Sequence, residues 1–217
     1  MIQMCLVAGC VSKKGKSVAP QIRAMLLASS HRGPEAFGVK TPHAEAKSKT
    51  LDSLAIPDSP IMLAHSLLSV TGNCIQPITV GNASVSHNGQ IYNYNEFEGA
   101  GSFESDSAAI ASFFANAEPK DFPALLKKFA KKANGEYSAG LLFGESLFAF
   151  RDFLGLKPLW VGENSEVVAF ASEPRALIRA GMEFPVPIKP GEFVELSARG
   201  FSSETFFSLE DFRASIK

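Results

Sequence analysis

The chain opens MIQMC, and Cys5 heads the apolar run CLVAGCV (residues 5–11). A cysteine thiol of pKa about 8.5 is only a few per cent thiolate near neutrality, so as a nucleophile it needs a base. At the head of a chain it brings its own. A free α-amine has a pKa of about 7.7–8.0, and a sizeable share of it is unprotonated at neutral pH. Thiol and amine on one residue fix the geometry without a histidine. Translation from Met4, or removal of a short propeptide, would expose that amine; with residues 1–4 attached it is locked in a peptide bond. Read structurally, Cys5 is a small apolar residue opening a buried strand.

Two further segments carry chemistry. His87-Asn88-Gly89 closes an apolar run, and a side-chain amide followed by glycine can aim two N–H donors at one point, as an oxyanion hole for acyl transfer requires. The same Asn-Gly pair is also the commonest hairpin turn. Glu104-Ser105-Asp106-Ser107 precedes a helical pattern. Ser105 or Asp106 can cap that helix, and a carboxylate there can equally hold a substrate ammonium group. The four histidines (His31, His43, His65, His87) show no metal spacing, no Cys-x-x-Cys pair is present, and no metal or other cofactor is expected. The lysines of LLKKFAKKA read as a solvated helix face.

The elements that must position these residues are mostly short strands. CLVAGCV, PIMLAHSLLSV, NASVSHNG, EYSAGLLFG, SLFAFRD, PLWVG, VVAFASE and EFVELSA are each rich in Val, Leu, Phe and small residues and bounded by turn formers. Gly144-Glu145-Ser146 between two of them reads as a hairpin turn. Helical periodicity predicts helices over 18–27, 106–117, 122–133 and 174–180. Residues 41–60 are polar and proline-bearing and read as a surface loop. Helices fall in pairs between blocks of strands, without strict βαβ alternation, which argues for stacked sheets with helices outside.

At 217 residues the chain is expected to form one large domain, or two small lobes sharing a core, able to bury roughly 70% or more of its unfolded surface without staples. The formal net charge is −1, from 21 basic and 22 acidic side chains, so there is no basic excess to meet phosphates and no nucleic-acid partner is expected. Eighteen Phe against three Tyr and one Trp predict a core filled with phenylalanine. Three cysteines do not make a disulfide framework, no apolar run reaches the ~18 residues of a membrane span, and no secretory signal opens the chain. The expected compartment is a reducing cytoplasm, away from membranes.

The order of the segments carries a resemblance. Met-Cys before a small apolar strand, then HRGPEAFGV, LAHSLLSV with Gln76-Pro77 after it, HNGQIYNYNEF, ESDSAAI, NGEYSAGLL, RDFLGLKPLWVG and FASEPRAL follow one another over about residues 4–200. This succession resembles the class II glutamine amidotransferase domain, an N-terminal-nucleophile hydrolase. Its nearest flavour is the glutaminase half of glutamine-dependent asparagine synthetase, with the phosphoribosyl-pyrophosphate amidotransferase and glutamate synthase versions also similar. The resemblance implies an α+β fold, a four-layer αββα sandwich. It implies that Cys5 attacks the glutamine side-chain amide, that Asn88 and Gly89 form the oxyanion hole, and that Asp106 grips the substrate α-amine. His65, Arg32 and Gln90 would lie in the substrate-binding part of the site, and RDFLGLKPL and FASEPRAL would shape the sheets behind it. Ammonia would leave, a glutamyl thioester would remain on Cys5, and water would release glutamate.

One departure bears on substrate. In the family the segment around His65 reads His-x-Arg, and that arginine binds the substrate α-carboxylate; here the position is Leu67. Losing a hydrogen bond to a charged group costs about 1.5–3 kcal/mol, or about ten- to a hundredfold in affinity. Arg32 of HRGP is the expected substitute cation. Three readings follow: a glutaminase feeding ammonia to a separate synthase subunit, a degenerate domain serving as a regulatory or scaffold subunit, or a hydrolase of another amide that lacks the carboxylate.

Overall fold

A computed structural model describes residues 4–68, 74–97 and 103–215. The 1–3 extension, and Ser69 and Val70 at the end of LAHSLLSV, lie outside them. In chain order the elements are β1 (Leu6–Ser12), α1 (Ala19–Ala28), β2 (Ala36–Lys40), β3 (Glu45–Ser48), β4 (Ile61–Leu67), β5 (Ile78–Val80), β6 (Ala83–Ile91), α2 (Asp106–Phe114), α3 (Phe122–Lys132), β7 (Gly135–Phe143), β8 (Ser146–Arg151), β9 (Trp160–Glu163), β10 (Val167–Ala171), α4 (Pro174–Arg179), β11 (Val186–Pro187), β12 (Glu192–Ser197), β13 (Gly200–Thr205) and α5 (Leu209–Ser215).

The strands form two antiparallel sheets. One runs β11-β9-β10-β1-β4-β2-β3 and the other β13-β12-β8-β7-β6-β5. Side-chain alternation along β1 explains the layering. Leu6, Ala8 and Cys10 point outward into a cluster with Ile22, Met25 and Leu26 of α1 and Leu177 of α4. Val7 and Val11 point inward, where they meet Leu63 of β4, Leu142 of β7, Leu147 of β8 and Phe170 of β10. The far face of the second sheet is covered by α2 and α3 through Phe114, Phe122, Leu126 and Phe129. The result is the expected α+β arrangement, helix–sheet–sheet–helix. Phenylalanine fills the layer under α2 and α3, with ring centroids 4.3 Å apart for Phe122 and Phe148 and 5.7 Å for Phe114 and Phe122.

Some elements differ from expectation. Residues 41–60 hold a strand, β3, on the edge of the first sheet. Its Glu-Ala-Lys-Ser sequence has no apolar alternation, as befits an edge kept from pairing by charge. β2, β5 and β13 are likewise too short or too polar to announce themselves. Gly144, at φ +53, does occupy the turn between β7 and β8. Asn88-Gly89 is not a turn: β6 runs through it to Ile91, paired with β7 all the way.

Candidate active site

Cys5 immediately precedes β1, and period-two alternation puts it on the inward face with Val7. The partner is the end of β4. The Leu68 N–H donates to Cys5 Sγ at 3.3 Å, and the thiol lies 3.5 Å from the Leu68 carbonyl, which can accept from it. The residue is half-buried. Burial pushes its thiol pKa up, while the Leu68 contact and the positive charge of Arg32 work against that. Cys10 is a useful contrast. It is sealed beneath α1, its thiol is pushed up to about 12, and it is chemically silent near neutrality.

Arg32 explains how Cys5 is held. Its Nε and Nη2 donate to the Cys5 carbonyl at 3.2 and 3.1 Å. Its Nη1 lies 3.9 Å from the Glu173 carboxylate. Glu173 in turn accepts from Ser29 Oγ at 2.7 Å and sits 3.3 Å from His31 Nε2. Burial lowers the Arg32 pKa and the Glu173 charge raises it again. Glu173 stands at the N-cap of α4 without making a cap bond, so its carboxylate is free to serve Arg32. Sequence reasoning gave FASEPRAL only a shaping role and missed this residue. Its one signal is an acidic residue just before Pro174.

On the facing sheet, Asn88 and Gly89 lie within β6, opposite Ser138 and Tyr137 of β7. Asn88 is buried, 4% exposed, and its Nδ2 has no hydrogen-bond partner among the described residues. A buried amide donor left open costs free energy, so it marks a place where an acceptor belongs. Gly89 has φ +145, and a Cβ there would overlap the Glu136 carbonyl oxygen, so only glycine fits. Gln90, half-buried, follows opposite Glu136.

Asp106 reaches the same strand. Its Oδ2 accepts from the Ile91 N–H at 3.1 Å and its Oδ1 from the Ser107 N–H at 2.8 Å. Ser105 is the residue that caps α2, accepting from the Ala108 N–H at 3.2 Å. The Asp106 side chain remains 19% exposed.

His65 bridges the two sheets. It stands opposite Val7 of β1 and Gly38 of β2, and its Nε2 lies 3.2 Å from the His87 carbonyl, which can only accept; Nε2 therefore carries the proton. Full burial pushes its pKa down to about 3, so it is neutral. Leu67, two residues on, is also buried. Among the described residues no group of three or more His, Cys, Asp or Glu is arranged to hold a metal ion, and no helix is long and apolar enough to cross a membrane.

Two face-to-face antiparallel sheets between helix layers, with a cysteine entering a central strand, define the class of N-terminal-nucleophile hydrolase folds. The comparisons with known proteins narrow it. The model of the glutamine amidotransferase domain family matches residues 65–179, just over half of the chain, and the chain belongs to that family, in its class II form. It is 32% identical to the amidophosphoribosyltransferase of Methanocaldococcus jannaschii over 89% of this chain and 47% of that one. With the mouse amidophosphoribosyltransferase it shares 28% identity over 90% of this chain and 48% of the other. The chain thus spans about half the length of these relatives. Its fold superposes on glutamine phosphoribosylpyrophosphate amidotransferase from B. subtilis with a TM-score of 0.77 at 22% identity, covering 94% of this chain and 49% of the other. The nearest flavour therefore needs correcting: these relatives are amidophosphoribosyltransferases, and the expected kinship with asparagine synthetase is not supported.

Proposed function

We propose that this domain hydrolyses the side-chain amide of glutamine and that the ammonia passes to a synthase. One observation carries the reading: Cys5, its own carbonyl clamped by Arg32, lies beside the β4 end whose His65 touches the peptide leading into Asn88, and Asn88 keeps an open buried donor.

In this reading the residues before Cys5 are removed. The freed α-amine takes the thiol proton as Sγ forms a bond to the amide carbon. The carbonyl electron pair moves onto oxygen, where the Asn88 Nδ2–H and the Gly89 N–H hold it. Collapse re-forms the C=O and expels the nitrogen, which takes the proton back and leaves as ammonia. Water then attacks the γ-glutamyl thioester, the amine again accepting a proton, and glutamate departs with the thiol restored. Asp106 anchors the substrate ammonium. Arg32 spends two of its nitrogens on Cys5, so the substrate carboxylate meets Leu67 and, at most, Arg32 Nη1.

The relatives named amidophosphoribosyltransferase are about twice as long, and we assign the ammonia acceptor to a synthase partner of that general kind. The buried Leu67 favours a second reading, a domain that keeps the fold without turnover as a regulatory subunit. Glutamate release decides between them. The glutaminase reading expects release from glutamine by protein whose intact mass begins at Cys5, abolished in Cys5→Ala. An unprocessed mass together with no release would overturn it.

A further inference from the structure

Among the described residues, β6 has a gap beside its functional end. On one side β7 pairs with it from Ala83 to Ile91; on the other, β5 pairs only with Ala83–Val85. Continuing the β5 register, in which Ile78 faces Val85, puts Gln76 opposite His87. There the side chain does what a strand backbone would do. Gln76 Oε1 accepts from the His87 N–H at 2.6 Å and Nε2 donates to the His87 carbonyl at 3.3 Å. That carbonyl also receives the His65 Nε2–H. Gln76 and His87 are both buried. The Gln76 backbone runs so close to Gly38 that a Cβ on Gly38 would overlap the Gln76 carbonyl oxygen, which holds the segment against the first sheet.

The His87 carbonyl belongs to the peptide whose nitrogen is Asn88's. Two side-chain N–H groups from outside the second sheet therefore fix the plane of that peptide, and with it the direction of the Asn88 side chain.

We infer that Gln76 and His65 are positioning residues for the oxyanion hole, locking the His87–Asn88 peptide so that Asn88 Nδ2 and Gly89 N–H converge. This rests on the glutaminase reading. Neither residue touches substrate in this role, so their loss weakens the transition state and spares ground-state binding.

The test uses the full chain with Cys5 exposed, and the variants Gln76→Glu, His65→Gln and His65→Leu. Gln76→Glu keeps the acceptor for the His87 N–H and turns the donor into an oxygen that repels the carbonyl. Its kcat for glutamine should fall about ten- to a hundredfold, short of the 10²–10³ lost when an oxyanion donor is removed outright, with KM within about twofold. His65→Gln, which can still offer an N–H, should retain far more activity than His65→Leu. A second readout needs no turnover. The Cys5 sulfur adds to the aldehyde carbon of glutamate γ-semialdehyde, its proton passing to the α-amine as the C=O π pair moves onto oxygen, which places the oxygen of a tetrahedral carbon in the hole; glutamate does not load it. Gln76→Glu should weaken the aldehyde and leave glutamate affinity unchanged. Equal weakening of both, wild-type kcat in Gln76→Glu, or His65→Gln no better than His65→Leu would overturn the proposal. Wild-type protein that captures the aldehyde but releases no glutamate overturns the glutaminase reading instead, and the aldehyde-to-glutamate ratio in Gln76→Glu then judges Gln76 by itself.

Discussion

Arg32 is the side chain that holds the Cys5 carbonyl and opposes the upward push of burial on its thiol, and Arg32→Met isolates it. The substitution keeps much of the apolar stem and removes the charge. Two N–H donors, at 3.2 and 3.1 Å from the Cys5 carbonyl, are lost. The Arg32 side chain is only 10% exposed, so water replaces them poorly. A hydrogen bond to a charged group is worth about 1.5–3 kcal/mol, and among the described residues the Glu173 carboxylate is left with Ser29 and His31. If that free energy goes into holding the nucleophile, kcat/KM for glutamine falls about ten- to 150-fold. The charge has a separate signature. It opposes the upward push of burial on the Cys5 thiol, so removing it must move the thiol pKa further up.

The assay is the rate of Cys5 alkylation by iodoacetamide against pH, with the labelled residue located by peptide mass spectrometry and Cys74 replaced by serine. Cys10 is sealed and does not compete. The alkylation midpoint should move to higher pH in Arg32→Met. Arg32→Lys keeps a charge but not the two-pronged fit, so it should recover the pH profile better than it recovers kcat/KM. An unchanged midpoint in folded Arg32→Met would refute the reasoning, because the guanidinium would then not be acting on the thiol at all.

Three other outcomes follow from the geometry. Gly89→Ala combines a φ of +145 with overlap of the Glu136 carbonyl; it should cost about 1–3 kcal/mol from backbone strain alone, read as a lower urea midpoint, and should abolish glutamate release even in protein that still folds. His65 has a folded pKa of about 3 against about 6.5 when unfolded. Between those values the unfolded chain binds the extra proton, so stability is complete above the unfolded pKa and falls as pH drops, by about 1.4 kcal/mol per pH unit. Urea melts between about pH 4 and 6 should show His65→Gln with a pH slope shallower by up to one proton, His87 keeping its own contribution in the same direction. Leu67→Arg, compared with Leu67→Met as a packing control, should lower the glutamine KM about ten- to a hundredfold with kcat little changed, since a carboxylate contact made equally in ground and transition states is uniform binding.

What the sequence disclosed, and what it hid, follows from the range of each interaction. β1, β4, β6 and β7 were legible because alternation and apolar runs are local signals. β3 was hidden because an exposed edge strand is selected for charge instead of alternation. Cys5, Asn88, Gly89 and Asp106 stood out because their chemistry is written in one or two adjacent residues. Glu173 and Gln76 did not. Glu173 acts on Ser29, 144 residues away, and Gln76 acts through a register that exists only once β5 and β6 pair. The Asn-Gly pair misleads in isolation, since the dipeptide that favours a tight turn here lies inside a strand and uses its glycine for close backbone approach.

Cys5 and the Asn88–Gly89 pair come from different sheets, so their separation is an inter-sheet distance, and the contacts that set it are specific. Gly9 of β1 and Gly140 of β7 both face the ring of Phe170, and a Cβ on either would collide with it. Two missing side chains let one buried ring lie between the sheets at close range, while Leu63 and Leu147 close around it. Apolar packing of this kind fixes spacing but is poor at fixing rotation, because it is non-directional. Direction comes from the polar contacts at the same end of the sandwich: His65 reaching across to the His87 carbonyl, Asp106 tying the Ile91 N–H, and Arg32 holding the Cys5 carbonyl. Each of these bonds fixes a backbone group at or beside a candidate site residue. In the glutaminase reading that arrangement leaves the Asn88 Nδ2–H open to an acceptor and Cys5 Sγ engaged only by Leu68 among the described residues, as a site that receives a substrate requires.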